Sequence, residues 1–237
     1  MAPMPVTFET VEVDEKQDTA VILYTSGTTG QPKGAELTHS NMRLNALASS
    51  DLFGADAENP DTYLCVLPLF HSFGQTVIQN GALAFGGTII MLPRFEPVAA
   101  LQLLLNEKVT FFAGVPTMYW GLLGALEEGI DVAEIANTLR TAAAGGAALP
   151  KEVHREFKDR FGISILEGYG LSETSPVASF AIRGEEPRVG SIGKPLKDVE
   201  MKLIDPSWNE VSGEDQVGEI AIKGYNVMKG YYKRPEA

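Results

Sequence analysis

Between Thr19 and Gly170, short apolar runs alternate with longer helical patterns, and this alternation constrains the fold more than any other feature. Each run would place apolar side chains on both faces of a strand, as is typical of strands in a sheet that is covered on two faces. One helical pattern begins at Pro97, and another begins near Pro150 and stops at Gly162. The sequence therefore predicts an α/β fold with a mainly parallel sheet flanked by helices. The predicted strands are Thr19–Thr25, Thr62–Pro68, Gly87–Leu92, Val109–Gly114, Leu139–Ala144 and Ile163–Glu167.

The pattern changes after about residue 185, where apolar residues alternate with others at a period of two. Segments that begin at Val199 and Gly218 show this period and are separated by turn-rich sequence, which indicates a small antiparallel, barrel-like β subdomain. We therefore expect a leader over residues 1–18, an α/β subdomain over 19–180 and a truncated β subdomain over 188–237. The boundary between the two subdomains is predicted within 178–188.

Charge and cysteine content exclude several classes of partner. A net charge of −12 argues against nucleic acid and against a polybasic membrane anchor, both of which depend on Lys and Arg. The sequence contains no apolar run long enough for a transmembrane segment and no recognisable signal peptide. Cys65 is the only cysteine and is expected to be a buried thiol. These features predict a cytoplasmic protein.

Residues 24–34, called the anion loop below, are suited to wrapping an anion. Two glycines let the backbone bring N–H groups close to a ligand, four hydroxyl residues add donors, and Lys33 adds a positive charge. The spacing differs from the phosphate loop of NTPases and kinases, in which the lysine directly follows the second glycine. A polar surface turn is the alternative, but such a turn needs neither the hydroxyl cluster nor the lysine. The glycines and hydroxyl residues are Thr25, Ser26, Gly27, Thr28, Thr29 and Gly30.

A second candidate segment, Gly168–Thr174, follows the last predicted strand of the sheet, where ligands of open α/β sheets bind. Tyr169 can stack on a base, and Glu173 can ligate Mg²⁺ through oxygen. Taken alone, the segment also fits an ordinary turn with a solvated Glu173. Gly145 and Gly146 end the preceding strand, where small residues admit either a flat ligand or tight packing of a helix on a strand.

The three histidines have different surroundings. His71 lies among apolar residues in the segment Pro68–Gly74, and a lone histidine in such a place is more often structural than functional. His39 is expected to cap or brace the helix that follows the anion loop. His154 lies among charged residues and is expected on a solvated helix face, without a role.

Taken together, these segments resemble the signature segments of the adenylate-forming superfamily, which includes acyl-CoA synthetases, firefly-type luciferases and peptide-synthetase adenylation domains. The resemblance implies that the first loop, with Lys33, holds the β- and γ-phosphates of ATP, and that Ser26 and Glu173 hold Mg²⁺. It further implies that Tyr169 faces adenine and that Ser172 contacts the α-phosphate region. The remaining residues implied at the nucleotide or the acyl-adenylate are Gly146, Ala147, Gly168 and Gly170.

The resemblance also implies a site for a carboxylic acid. His71 would border the channel where the acid meets the α-phosphate, Phe70 and Phe73 would wall the acyl pocket, and Gly145 and Gly146 would contact the substrate. Amino-acid-activating relatives usually carry an aspartate at the position of His71, so an α-amino acid is disfavoured. The segments Leu92–Pro97 and Ala113–Tyr119 are similar to those of bacterial medium- and long-chain fatty acyl-CoA ligases, which implies a fatty acid. The implied catalytic residues are Lys33, His71, Ser172 and Glu173.

The implied reaction has two steps: an acyl-adenylate forms with release of pyrophosphate, and coenzyme A then displaces AMP. Full members of the family continue into a mobile carboxy-terminal domain, so this chain resembles a fragment of the large amino-terminal domain. We therefore expect the isolated chain to be weakly active or inactive. A non-catalytic ATP- or acyl-binding fragment, which needs a partner chain or the missing domain for activity, is the alternative.

Overall fold

The computed structural model describes residues 11–25, 31–126, 130–213 and 215–237. Among these residues, twelve strands are present, and they are listed here in chain order: β1 (Thr19–Thr25), β2 (Lys33–Thr38), β3 (Thr62–Cys65), β4 (Thr88–Met91), β5 (Phe111–Gly114), β6 (Thr141–Ala144), β7 (Ile165–Gly170), β8 (Val177–Phe180), β9 (Lys194–Pro195), β10 (Val199–Ile204), β11 (Glu219–Gly224) and β12 (Gly230–Tyr231).

Most of the helices connect consecutive strands of the central sheet along the chain. The α-helices are α1 (His39–Leu47), α2 (Ser49–Phe53), α3 (Gly81–Ala84), α4 (Pro97–Asn106), α5 (Pro116–Gly124), α6 (Val132–Thr138) and α7 (Lys151–Phe161). A π-helix covers Phe73–Asn80, and a 3₁₀ turn covers Ser172–Thr174. No helix in the described parts of the chain combines the length and apolarity needed to cross a bilayer.

A seven-stranded sheet in the order β4-β3-β5-β6-β7-β8-β9 forms the centre of the molecule. The five strands from β4 to β7 are parallel, and β8 and β9 add an antiparallel edge. Neighbouring residues on one strand enter different cores, because side chains alternate between the two faces of a strand. Leu64 and Phe112 pack with α4, α5 and α7, whereas Tyr63 and Phe111 pack on the opposite face with Phe53. The predicted α/β fold with a mainly parallel, helix-flanked sheet is confirmed.

Both predicted helices form, and local chemistry sets their ends. Pro97 is the first residue of α4, and the Glu96 carboxylate accepts hydrogen bonds from the amides of Val98 and Ala99 at 3.2 and 2.6 Å. At the end of α7, Gly162 adopts a φ of +70°, where an L side chain is strained. Thr38 caps α1, so His39 is its first helical residue rather than its cap.

The strand predicted at Thr19–Thr25 has the predicted bounds, but the prediction that it belongs to the parallel sheet is wrong. It pairs antiparallel with β2, and β12 pairs antiparallel with the other edge of β2. Exposure alternates along β1, with Ile22 and Tyr24 on the more open face, as expected for an antiparallel strand with one covered face. The uniformly apolar sequence hid this alternation.

The carboxy-terminal region contains the predicted antiparallel pair. Strands β10 and β11 pair from Val199 opposite Gly224 to Ile204 opposite Glu219, and among the described residues they form a two-stranded sheet. The last strand, β12, joins β2 instead. The subdomain boundary within 178–188 stays a prediction.

Two residues predicted from their neighbours have different outcomes. Cys65 is buried, as predicted, and burial raises the pKa of its thiol. The prediction that His154 lies on a solvated face is wrong, because its ring is buried and Nε2 lies 3.1 Å from the Ile165 carbonyl oxygen. The charged neighbours of His154 occupy the outer face of α7, while the histidine itself faces β7.

Candidate functional site

A cavity of about 180 Å³ opens at the carboxyl ends of β6 and β7, the edge of the sheet where α/β proteins bind ligands. Three separate predicted segments meet there, because β6, β7 and the loop before the π-helix all reach this edge. Eight predicted site residues line the cavity: His71, Phe73, Gly145, Gly146, Gly168, Tyr169, Gly170 and Ser172. The cavity therefore brings together predicted nucleotide and acid residues from three segments of the chain.

Glycines on β7 allow the antiparallel edge to approach the site. A Cβ at Gly168 would overlap the ring of Phe180, and a Cβ at Gly170 would overlap the carbonyl of Pro176. The strand consequently continues to Gly170, beyond the predicted end at Glu167, and pairs with β8. Tyr169 lies between the two glycines and faces the cavity, half-buried.

The end of β6 supplies small residues on the opposite wall. Gly145 is buried against the ring of Phe73, which leaves only 3.2 Å for an added Cβ. Gly146 adopts a φ of +81°, so the chain turns sharply out of the sheet at this point. Ala147 is exposed next to the turn and does not line the cavity.

The segment before the π-helix places its three predicted residues differently. The Nδ1 atom of His71 accepts a hydrogen bond from the Phe73 amide at 3.1 Å, so a neutral ring carries its proton on Nε2. Phe73 is buried and lines the cavity, whereas Phe70 is 83% exposed and does not. The structure thus brings His71 and Phe73, but not Phe70, to the cavity.

Glu173 lies just beyond the cavity, in the 3₁₀ turn. Its Oε1 accepts a hydrogen bond of 2.9 Å from the hydroxyl of Tyr231, and its carbonyl accepts one of 2.8 Å from the Met228 amide. Burial, together with the hydrogen bond to Glu173 and the charge of Glu173, raises the pKa of Tyr231 to about 12. The phenol therefore keeps its proton at neutral pH and acts as the donor of the hydrogen bond to the carboxylate.

Lys33 approaches the same tyrosine from the other side. Its Nζ lies 4.9 Å from the centroid of the Tyr231 ring, within the range of a cation–π contact. Thr25 is paired with Lys33 across β1 and β2, so these two residues of the anion loop lie opposite each other at one end of the β1–β2 hairpin. The predicted loop residues Ser26, Gly27, Thr28, Thr29 and Gly30 lie outside the described residues.

The Glu173 carboxylate suits Mg²⁺ better than it suits a metal whose ligands all come from protein side chains. In the described ranges no three His, Cys, Asp or Glu side chains cluster as a metal site. Mg²⁺ typically takes one or two carboxylates and completes its shell with water and substrate phosphates. None of the described residues hydrogen-bonds the second oxygen of Glu173, Oε2, so this oxygen is available as a ligand.

Sequence reasoning missed several residues at the site. Leu171, Pro176, Val177, Phe180 and Ser72 also line the cavity. The apolar run from Val177 to Phe180, directly after a proline, was the signal for the missed strand β8. No local pattern announced Tyr231, because its contacts with Lys33 and Glu173 come from distant parts of the chain.

Comparisons with known proteins identify a family and several relatives of this chain. A family model described as "AMP-binding enzyme" matches residues 3–232. The long-chain-fatty-acid–CoA ligase of Bacillus subtilis (strain 168) is 37% identical over 226 residues, which are 95% of this chain and 40% of that protein. A feruloyl-CoA synthase of Amycolatopsis sp is 37% identical over 221 residues, which are 93% of this chain and 44% of that protein.

The fold is also similar to that of a solved structure with a nucleotide. ATP-bound MatB from Rhodopseudomonas palustris matches with a TM-score of 0.87 at 35% identity, over 97% of this chain and 44% of that one. The chain thus spans 40% to 44% of the length of these relatives.

Proposed function

Because this chain belongs to the family of AMP-binding enzymes, we propose that it forms the ATP- and acid-binding part of an AMP-forming acid–CoA ligase. One observation carries this proposal: Tyr169 and Ser172 line one cavity, and Glu173, directly after Ser172, contacts Tyr231, whose ring also contacts Lys33. A ring for the base, a hydroxyl for the α-phosphate and a cation for the phosphate tail then follow one another along the site.

In the proposed first step, a carboxylate oxygen of the acid attacks the α-phosphorus of ATP. The bond from that phosphorus to the β-phosphate oxygen breaks, and pyrophosphate leaves with the electron pair. The chain needs no general base for this step, since the nucleophile is already an anion; it needs orientation and neutralisation of charge. Ser172 would orient the α-phosphate, and Lys33 would offset the charge that builds on pyrophosphate.

Magnesium belongs to this proposal as the ion that Glu173 would hold through Oε2. When bound, it neutralises phosphate charge and so favours departure of pyrophosphate. In the second step, the thiol of coenzyme A attacks the acyl carbonyl, AMP leaves, and the thiol proton is lost to solvent or a base. Coenzyme A is the acceptor we propose for the intact enzyme.

We propose a carboxylic acid without an α-ammonium group as the substrate, with a fatty acid first. The cavity carries apolar walls from Phe73, Val177 and Phe180 beside the imidazole of His71, and the described residues that line it include no carboxylate for an ammonium group. One relative is named for a long-chain fatty acid and another for a feruloyl group, so both alkyl and aryl acids belong in the test. A cytoplasmic location stays a prediction.

The proposal is tested by binding of Mg·ATP to the 237-residue chain, measured by calorimetry. Lys33→Ala should weaken binding about tenfold or more, because it removes a charge that faces the phosphates. Lys229→Ala is the matched control, since the Lys229 ammonium instead contacts the Gln17 carbonyl at 2.9 Å. Equal binding by Lys33→Ala and the wild type would contradict the phosphate assignment. ATP–pyrophosphate exchange with a panel of fatty, aryl and amino acids then tests the substrate class.

A further inference from the structure

Tyr231 lies between two oppositely charged groups of the proposed site and touches both. Its hydroxyl donates to Oε1 of Glu173 at 2.9 Å, and its ring centroid lies 4.9 Å from Nζ of Lys33. Among the ion pairs of the described ranges, none joins Lys33 to Glu173. The carboxylate and the ammonium thus each contact the tyrosine instead of each other.

The backbone around Tyr231 is fixed to both neighbours. Gly230 and Tyr231 pair with Glu36 and Ala35 of β2, the strand that begins at Lys33. The Tyr232 amide donates to the Gly34 carbonyl at 2.8 Å, and the Met228 amide donates to the Glu173 carbonyl at the same distance. The segment 228–232 is therefore bonded to β2 on one side and to the 3₁₀ turn on the other.

The two side-chain contacts have different chemistry and can be removed separately. The hydroxyl donates a hydrogen bond to one carboxylate oxygen, and this bond limits rotation of the carboxylate and leaves its other oxygen for a ligand. The ring offers its negative π face to the ammonium and limits the freedom of a long, flexible side chain. Phenylalanine at this position keeps the second contact and loses the first.

We propose that Tyr231 is a positioning residue that sets the carboxylate of Glu173 and the ammonium of Lys33 as two separate charges. This inference rests on the proposed function, in which Glu173 holds the metal and Lys33 holds the phosphates. Separation is needed because direct pairing of the two groups would neutralise both. Tyr231 orients one oxygen of Glu173 for the metal and holds the ammonium of Lys33 at the start of β2.

The first experiment measures the binding of Mn²⁺, which substitutes for Mg²⁺, by electron paramagnetic resonance in the presence of ATP. Tyr231→Phe should weaken Mn²⁺ binding about tenfold, the scale for loss of a group that orients a metal ligand. Binding of ATP without metal should stay unchanged, because the ring remains. Tyr232→Phe is the matched control: the ring of Tyr232 also lies under a lysine, with Nζ of Lys233 at 5.0 Å, and its hydroxyl has no hydrogen bond to a carboxylate among the described residues. Thermal unfolding of both variants checks that they fold alike.

Two further variants separate positioning from general stability. Tyr231→Leu removes the ring as well, and should weaken metal-free ATP binding that Tyr231→Phe preserves. The double variant Tyr231→Phe/Glu173→Gln should bind Mn²⁺ no more weakly than Glu173→Gln alone, because both changes act through one carboxylate. Additive losses in the double variant would contradict this coupling.

The outcomes distinguish failure of this inference from failure of the proposed function. If Glu173→Gln weakens Mn²⁺ binding and Tyr231→Phe behaves like Tyr232→Phe, the role of Tyr231 is overturned and the proposed function stands. If Lys33→Ala and Glu173→Gln both bind Mn²⁺ and ATP as the wild type does, the proposed function fails and the role of Tyr231 fails with it. A tenfold loss confined to Mn²⁺ in Tyr231→Phe supports the inference.

Discussion

Two fully buried tyrosines show how much a single hydroxyl depends on its partner. The hydroxyl of Tyr119 donates to the Ala143 carbonyl at 2.8 Å, whereas that of Tyr63 has no hydrogen-bond partner among the described residues. Tyr119→Phe should lower the free energy of unfolding by about 1 kcal/mol, and Tyr63→Phe should leave it unchanged or raise it by up to about 1 kcal/mol. Urea denaturation of both variants measures the contrast. Equal losses would contradict the assignment of partners.

Gly170 is constrained by the backbone opposite it. A Cβ there would overlap the Pro176 carbonyl oxygen and lie 2.8 Å from the carbonyl carbon. Gly170→Ala should therefore destabilise the protein by about 2 kcal/mol, because backbone must move to admit the methyl group. Gly124→Ala, at the end of α5, is the control: a Cβ added there meets no atom of the described residues within 4 Å, so the change should be neutral or slightly stabilising. Urea denaturation reports both, and a neutral Gly170→Ala would mean that β7 and β8 lie farther apart.

Residues with a local signature were predictable, and residues with distant partners were not. Gly145, Gly146 and Tyr169 carry small or flat side chains next to strand ends, and all three line the cavity. Phe70 has the same apolar character as Phe73, but it lies in the turn before the π-helix and is 83% exposed, whereas Phe73 begins that helix and is buried. Tyr231 gave no signal because its role comes from β12 pairing with a strand near the other end of the sequence.

At the scale of elements, one asparagine joins the first helix to the antiparallel edge of the sheet. Asn45 of α1 accepts a hydrogen bond from the Val177 amide at 3.2 Å and donates one to the Val177 carbonyl at 2.9 Å. The carbonyl has a second donor in Asn226. The helix thus fixes β8, and with it the wall of the cavity.

Asn45→Ala should destabilise the protein by about 1–3 kcal/mol, the range for a buried amide that loses its partner. Asn137→Ala, on the exposed face of α6, is the matched control and should change stability by less than about 0.5 kcal/mol. Urea denaturation measures the free energy, and hydrogen exchange at the Val177 amide measures the local effect. Unchanged protection of that amide in Asn45→Ala would contradict the proposed link between α1 and β8.

The parallel strands were predictable because burial on both faces makes their sequences continuously apolar. The same criterion misplaced β1, whose apolar residues alternate between a covered and an open face. It also missed β2, which reads Lys-Gly-Ala-Glu-Leu-Thr and has too few apolar residues to stand out. Pairing with β1 and β12, rather than its own composition, makes β2 a strand.

At the scale of the whole molecule, buried phenols couple stability to alkaline pH. Burial raises the pKa of Tyr63 well above its usual range, with a further contribution from the nearby Asp61 carboxylate, and burial also raises the pKa of Tyr119. Above about pH 10 the unfolded chain loses these protons while the folded chain keeps them. Deprotonation therefore favours unfolding, and the free energy of unfolding should fall as pH rises beyond that point.

The double variant Tyr63→Phe/Tyr119→Phe tests this coupling. Each phenol contributes a slope of up to about 1.4 kcal/mol per pH unit, so the double variant should lose stability less steeply between pH 10 and 11. Tyr24→Phe is the control, because Tyr24 is 68% exposed. Urea denaturation at several pH values gives the slopes, and equal slopes for all three proteins would contradict the prediction.

The pairing of β12 with β2 also has a consequence for biosynthesis. The hairpin of β1 and β2 is synthesised before the central sheet, whereas Gly230 and Tyr231, which among the described strands pair with the second edge of β2, are synthesised after it. During translation that edge is open to mispairing with other nascent chains, as unpaired edges generally are. Lys33 and Glu173 acquire their common neighbour only once Tyr231 has been synthesised, so nucleotide affinity should mature after the strands of the central sheet have been made.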